Sequence, residues 1–171
     1  MYAGANVFLG PLLPEDSPLL FQWSNDVDLA HWNGPYRPVD WVSHSNWFAN
    51  IGKEQTKAVL AIRRVADSRL VGYIQFANIH PVFRSAEIGI AIGAEIDRGH
   101  GYGQEALKLA TRFAWNDLNL HRLALLIFGP NERAVKAYAK AGFRHEGLLR
   151  QAAFVDGRFV DITVMGLLRT D

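Results

Sequence analysis

Residues 86–128 constrain the fold more than any other stretch of the chain. From Ala86 to Ile92, small and branched side chains alternate at the period of two that a strand requires. Tyr102 to Leu118 then places Ala106, Leu109, Ala110 and Phe113 at i, i+3, i+4 and i+7, the stripe of an amphipathic helix. Leu123 to Phe128 follows as a near-continuous apolar run, the pattern of a strand buried on both faces, as parallel strands are. Strand, helix and strand in that order make a βαβ unit with a right-handed crossover, so the chain must hold a parallel strand pair.

Around that unit the patterns are simpler. Val7 to Leu9 reads as a short strand closed by Pro11 and Pro14, and Asp16 or Ser17 caps a helix running through Leu19, Leu20 and Trp23. Asp40 caps a second helix carrying Trp41, Trp47 and Phe48, with Asn25 to Pro38 as the loop between the two; that loop includes Trp32, Asn33 and Gly34. Ala58 to Arg63 and Leu70 to Phe76 form a hairpin across Ala66, Asp67 and Ser68. Asn131 to Ala141 is a further helix, stopped by Gly142 at C′. Phe143 to Leu149 and Phe159 to Leu168 complete the sheet, with a turn at Asp156 and Gly157. The class is α+β with a mixed sheet, neither doubly wound nor a barrel. With no repeat, low-complexity tract or linker, residues 1–171 are expected to form one domain.

Several function classes drop out on composition. The 18 Lys and Arg against 17 Asp and Glu leave a formal charge of +1, which gives no footprint for nucleic acid or an anionic membrane. Cysteine is absent, which removes thiol nucleophiles, disulfides and Cys-based metal sites. The six histidines form no His-x-x-x-His pair, so no metal is expected. Met1 to Gly10 is no leader, and no run approaches the roughly 18 apolar residues of a membrane span. A cytoplasmic, soluble protein is expected, and the missing Gly-x-Ser-x-Gly elbow sets aside a serine hydrolase.

The chemistry concentrates in Arg98-Gly99-His100-Gly101-Tyr102-Gly103, between the Ala86–Ile92 strand and the helix opening at Tyr102. Glycines let backbone N–H groups converge, and the helix N-terminus adds partial positive charge, a combination suited to a phosphate or pyrophosphate. The alternative is a glycine-rich connector with no ligand. No Walker string exists, and the dinucleotide fingerprint that starts at Gly99 and Gly101 fails at Gln104, where glycine is required.

Arg98, Gly101 and Gly103 fill the Gln/Arg-x-x-Gly-x-Gly/Ala signature for acetyl-CoA, and on them the chain resembles the GNAT superfamily of N-acetyltransferases. Trp23-Ser24-Asn25-Asp26, Ala86-Glu87-Ile88-Gly89, Asn131-Glu132-Arg133-Ala134 and Ala137 to Phe143 agree, nearest to the ribosomal-protein alanine and spermidine N-acetyltransferase branch. The resemblance implies a mostly antiparallel sheet of six to seven strands with a splayed parallel pair and about four helices. It implies acetyl-CoA as co-substrate lying across the splay, with Ile90, Ala91 and Ile92 as backbone partners of the pantetheine. Arg98, Gly99, His100, Gly101, Tyr102 and Gly103 would cradle the pyrophosphate, and Asn131, otherwise a plain N-cap, would reach the cofactor arm. His100 most simply fills a tolerant position in that loop. Arg133 and Lys136 face either the CoA phosphates or solvent.

Tyr138 shares a helix face with Ala134, Ala137 and Ala141, so its phenol points toward the sheet with room beside it. It is either a core tyrosine or, as the resemblance implies, the acid that protonates or hydrogen-bonds the departing thiolate. Glu87, on the small-residue face with Gly89, Ala91 and Gly93, is the candidate base, the alternative being a carboxylate paired with Arg84. The small residues themselves either admit pantetheine or accommodate a bulge or packed helix. The acceptor is expected to be a primary amine: a protein N-terminus, a polyamine or an amino sugar. Trp23 to Trp47, with Asp26, Asp28 and Asp40, fits a cation grip, core packing, or the surface of a homodimer or larger homo-oligomer. A module that binds acetyl-CoA without transferring it is the alternative from another class.

Overall fold

The structure is a computed structural model that describes residues 1–31 and 35–171, so Trp32, Asn33 and Gly34 lie outside the described residues. One sheet of eight strands runs in the order β1-β2-β3-β4-β5-β6-β8-β7. Its strands are β1 (Tyr2–Ala3), β2 (Val7–Gly10), β3 (Ala58–Arg64), β4 (Leu70–His80), β5 (Ser85–Ile92), β6 (Arg122–Phe128), β7 (Arg144–Val155) and β8 (Arg158–Leu168). Every pairing is antiparallel except β5 with β6, the parallel pair expected from the βαβ pattern. The sheet exceeds the expected six to seven strands by β1, too short to carry a period and made only by its pairing with β2.

Among the described residues the helices are α1 (Ser17–Ser24), α2 (Val27–His31), α3 (Trp41–Asn50), α4 (Tyr102–Asn116) and α5 (Glu132–Lys140). The expected loop from Asn25 therefore contains a helix, α2, started by Asp26, whose Oδ1 accepts from Leu29 N–H at 3.0 Å. Asp40 starts α3 in the same way, accepting from Ser43 N–H at 2.9 Å.

Each face of the sheet has its own core. On one face α4 buries Ala106, Leu107, Leu109, Ala110 and Ala114 against Ile74, Phe76, Ile88, Leu123 and Leu125, and α5 lies beside it. On the other, Leu20, Trp23 and Leu29 of the N-terminal helices cover Ala61, Leu70 and Ala91. β5 is thus read on both sides, Ile88 toward α4 and Ala91 toward α1, as its alternation requires.

Candidate active site

β5 and β6 pair only from Ser85/Arg122 to Glu87/Ala124, although both strands run on for several residues. Beyond that point they part. The register says which backbone groups face the gap, because an antiparallel ladder turns alternate residues toward and away from its partner. Gly93 N–H donates to Val71 O at 3.0 Å, so Gly93, Ala91 and Gly89 are committed to β4, while Ile90 and Ile92 turn their N–H and C=O toward β6. On the far side Gly129 N–H donates to Asp161 O at 2.9 Å, which leaves Leu126 and Phe128 facing β5. Two strand edges therefore confront each other across space too wide for a ladder bond. An extended ligand with amides of its own satisfies them. Of the three residues expected as backbone partners, Ala91 has its amide turned to Tyr73, while Ile90 and Ile92 turn theirs toward the gap, the Ile92 carbonyl also accepting from Arg98 Nε at 3.3 Å.

The gap opens, on the face of the N-terminal helices, into a groove of about 350 Å³ lined by Tyr73, Gln75, Glu87, Gly89, Leu126 and Phe128, among others. The glycines of the small-residue face divide between the two expected uses. A Cβ on Gly89 would meet nothing within 4 Å, so this glycine leaves the groove open; one on Gly93 would lie 1.9 Å from Trp23 Cε2, so that glycine admits a packed helix.

At the end of β5 the chain passes through a single 3-10 turn, Glu95–Asp97, pinned where buried Asp97 takes both terminal nitrogens of Arg69. Gly99 and Gly101 then adopt φ of +85° and +80°, and added Cβ atoms would meet nothing within 4 Å. Gly101 is the N-cap of α4, so the first amides of that helix have no carbonyl one turn earlier and converge on the open side of the loop. The Arg98 side chain turns toward the end of β5. Its Nη2 donates to Gly93 O at 2.7 Å and its Nε to Ile92 O at 3.3 Å, which braces the loop against the end of β5. His100 is exposed, bonded through Nε2 to Ile96 O at 3.1 Å and stacked on Tyr102 at 5.6 Å.

Tyr138 sits on the α4 face, its ring edge-on to Phe143 at 5.7 Å. Burial pushes its phenol up to about 12, and its hydroxyl makes no hydrogen bond to any described residue. Glu87 projects from the opposite face and is exposed; Asn78 Nδ2 donates to its Oε1 at 3.0 Å. The expected alternative partner, Arg84, is instead bonded through Nε to Asn119 O at 2.8 Å. Asn131 caps α5, its Oδ1 accepting from Ala134 N–H at 3.0 Å, and no described residue takes its amide nitrogen. Lys136 is exposed beside Glu132 at 3.4 Å and Arg133 is exposed without an ion pair among the described residues, positions compatible with either of the two expected roles.

The N-terminal aromatics and acids divide between internal packing and exposed positions, Trp41 and Trp47 being among the exposed. Trp23 is core, Trp41 and Trp47 flank buried His44, and Asp26 and Asp40 are helix caps. Asp28 alone of the three expected carboxylates has no partner among the described residues. Among those residues, too, no group of three or more His, Asp or Glu side chains is placed to hold a metal, and no helix is long and apolar enough to cross a membrane.

Three residues at the site escaped sequence reasoning. Tyr73 and Gln75 line the groove from β4 and share a face with Gly89 and Ala91, which strand pairing alone reveals. Asn78 reaches Glu87 from a β4 irregularity between Ala77 and His80, at φ +52°, and an Asn inside an apolar strand was its only visible signal.

Residues 6–144 match the acetyltransferase (GNAT) domain family. Spermidine N(1)-acetyltransferase of Escherichia coli K12 is 30% identical over 161 residues, which cover 93% of this chain and 84% of that protein. The [ribosomal protein uS5]-alanine N-acetyltransferase of the same organism is 26% identical over 151 residues, covering 82% of this chain and 77% of that one. The crystal structure of Vibrio cholerae spermidine N-acetyltransferase in complex with CoA and spermine superposes with a TM-score of 0.87 at 23% identity, covering 96% of both chains.

Proposed function

The chain belongs to the GNAT acetyltransferase family and is an acetyl-CoA-dependent N-acetyltransferase, and from that premise we propose that it moves acetyl directly onto a primary amine held in the groove beside Glu87. The observation that carries this reading is the gap between β5 and β6, whose edges Ile90, Ile92, Leu126 and Phe128 are turned toward each other without a ladder bond between them, and which ends at the glycine cradle. Pantetheine has the length and the amides for the first, and pyrophosphate the charge for the second.

The reaction requires a neutral amine, and Glu87 stands on the amine's side of the sheet. Its carboxylate, held by Asn78, removes the ammonium proton directly or through water. The amine nitrogen then bonds to the thioester carbonyl carbon, its second proton passes to water as the C–S bond breaks, and the electron pair of that bond leaves on sulfur. Tyr138 is on the other face, where the sulfur is expelled. With its phenol near 12 it is protonated throughout the neutral range, and it serves as the hydrogen-bond donor and acid to the thiolate. Acid and base thus act from opposite faces through the opening in the sheet.

The acceptor's body is read from what the groove offers a second charge. Phe128 joins the groove to a smaller pocket of about 180 Å³ where His31, Asp156 and Arg158 meet apolar walls. One carboxylate balanced by one guanidinium is a poor seat for a polycation, and Asp26 and Asp40 are committed to caps. A single amine on a peptide-like or neutral body fits better. An α-amine with its ordinary pKa near 8 is also about a hundredfold less protonated, relative to its neutral form, than a lysine-like amine.

Thiol release from acetyl-CoA, measured with an Ala- or Ser-initiated peptide, spermidine and an amino sugar, tests the reading. We expect turnover with the peptide to exceed that with spermidine. Acetyl-CoA binding with no thiol release on any amine would leave a binding module in place of a transferase.

A further inference from the structure

α5 carries Tyr138, yet none of its residues is fully buried. Ala134, Val135 and Tyr138 pack against the core from its inner face, and a polar tie adds to that partial packing. Its last turn tightens: Ala141 N–H donates to Tyr138 O at 3.0 Å and Gly142 N–H to Ala139 O at 3.0 Å. In a regular helix Ala141 N–H would have gone to Ala137 O. Ala137 C=O is therefore orphaned by the 3-10 turn, one residue before Tyr138. Gln104 Nε2 donates to it at 2.6 Å.

Gln104 stands in the first turn of α4, three residues after the N-cap Gly101, where the glycine cradle becomes helix. It is also the residue at which the dinucleotide fingerprint breaks. A single side chain thus runs from the amides placed to hold pyrophosphate to the backbone that carries the phenol. We propose that Gln104 is a positioning residue that couples occupancy of the cradle to the aim of Tyr138. This rests on the reading of Tyr138 as the acid. Anion binding at the α4 N-terminus settles the first turn, and Gln104 passes that placement to α5 through Ala137. Tyr138, whose hydroxyl has no described protein partner, then depends on the backbone for its direction.

Gln104→Glu is the sharpest variant, since it keeps the length, removes the N–H and sets a carboxylate against a carbonyl oxygen. Gln104→Ala removes the contact without repulsion, and Gln104→Lys restores a donor. For Glu and Ala, kcat is expected to fall about 10- to 100-fold, the scale of a small misalignment, with acetyl-CoA affinity within about threefold of the parent and partial recovery in Lys. In a Tyr138→Phe background the same changes should cost nothing more, because they act through the absent hydroxyl. With 13Cζ-tyrosine labelling, the Tyr138 resonance should shift in the parent on adding inorganic pyrophosphate, which fills the cradle without carrying a sulfur to the phenol, and lose that response in Gln104→Glu.

Unchanged kcat, a loss that persists undiminished on Tyr138→Phe, or a lowered melting temperature with normal turnover would each overturn the coupling and leave Gln104 a structural tie. If Tyr138→Phe is itself silent, the acid reading falls separately and the resonance decides: a response that needs Gln104 upholds the coupling, and one that survives Gln104→Glu ends it.

Discussion

Asn78 holds Glu87 by one oxygen only. Its Nδ2 donates to Oε1 at 3.0 Å, and Oε2 of this groove-lining residue has no described partner. The contact exists because β4 is irregular between Ala77 and His80, which sets Asn78 at φ +52° alongside β5. A carboxylate oriented through one oxygen and open at the other is suited to receive a proton from a ligand or water.

If Glu87 removes that proton, Glu87→Gln should lower kcat/KM about 10²-fold near pH 7 and recover toward the alkaline side, where the amine is already neutral. Asn78→Ala should give a smaller loss, about three- to tenfold, with the same pH shape, because the base remains but swings more freely. Rate against pH for both variants, with acetyl-CoA affinity measured alongside, checks this; a pH-independent loss in Glu87→Gln would assign it to positioning.

Tyr138→Phe removes a hydroxyl and nothing else. As the acid, Tyr138 should contribute about 10² or more to kcat while acetyl-CoA affinity stays within a few fold. Stability against pH gives a second readout. Burial raises the phenol from 10.0 to about 12, so below pH 10 the folded and unfolded chains both keep the proton, and between 10 and 12 only the folded chain does. Unfolding then releases a proton, so stability falls as pH rises through that window, by less than about 3 kcal/mol. Tyr138→Phe should show a shallower alkaline loss in chemical denaturation, and an identical slope would contradict the burial of the phenol.

Gly101→Glu should abolish acetyl-CoA binding by calorimetry, since it sets a side chain and a negative charge among amides placed for an anion. Gly101→Ala separates the two parts of that effect. Its Cβ would meet no protein atom within 4 Å, so what remains is the strain of φ +80°, about 1 kcal/mol, and whatever the methyl does to the ligand. A folded Gly101→Glu protein with parental affinity would remove the loop from the binding site.

The parts of this site that were legible in the sequence are those set by period and punctuation. Ile88 and Ala91 fall on opposite faces because strands alternate, and Gly142 stops α5 at φ +97° because only glycine adopts that turn cheaply. What stayed hidden depends on partners distant in sequence. Asp26 looks the same on paper as an amine-gripping acid, a loop residue or a helix cap, and only the placement of Leu29 N–H decides. Arg98 matches a cofactor signature yet turns to Ile92 and Gly93, and Gln104 looks like a mere failure of a glycine motif until α5 is folded against it. β1 has two residues and no pattern without β2.

Acceptor choice offers the last test, because it pits the groove against the chain's own relatives. Arg158 follows Asp156 across a turn in which Asp156 and Gly157 have φ of +50° and +74°, and both charged residues are exposed and unpaired among the described residues. Together they give the pocket beyond Phe128 no net charge to offer a polyamine. Arg158→Glu changes that balance by two units while leaving Glu87, Tyr138 and the cradle untouched. Exposed charges of this kind shift binding by about 1 kcal/mol, so the ratio of kcat/KM for spermidine over an Ala-initiated peptide should rise about three- to tenfold, more at low salt than at high. Asp156→Asn should move the same ratio the other way. Competition between the two acceptors in one reaction, resolved by mass, measures the ratio directly. If neither variant moves it, this pocket does not select the acceptor.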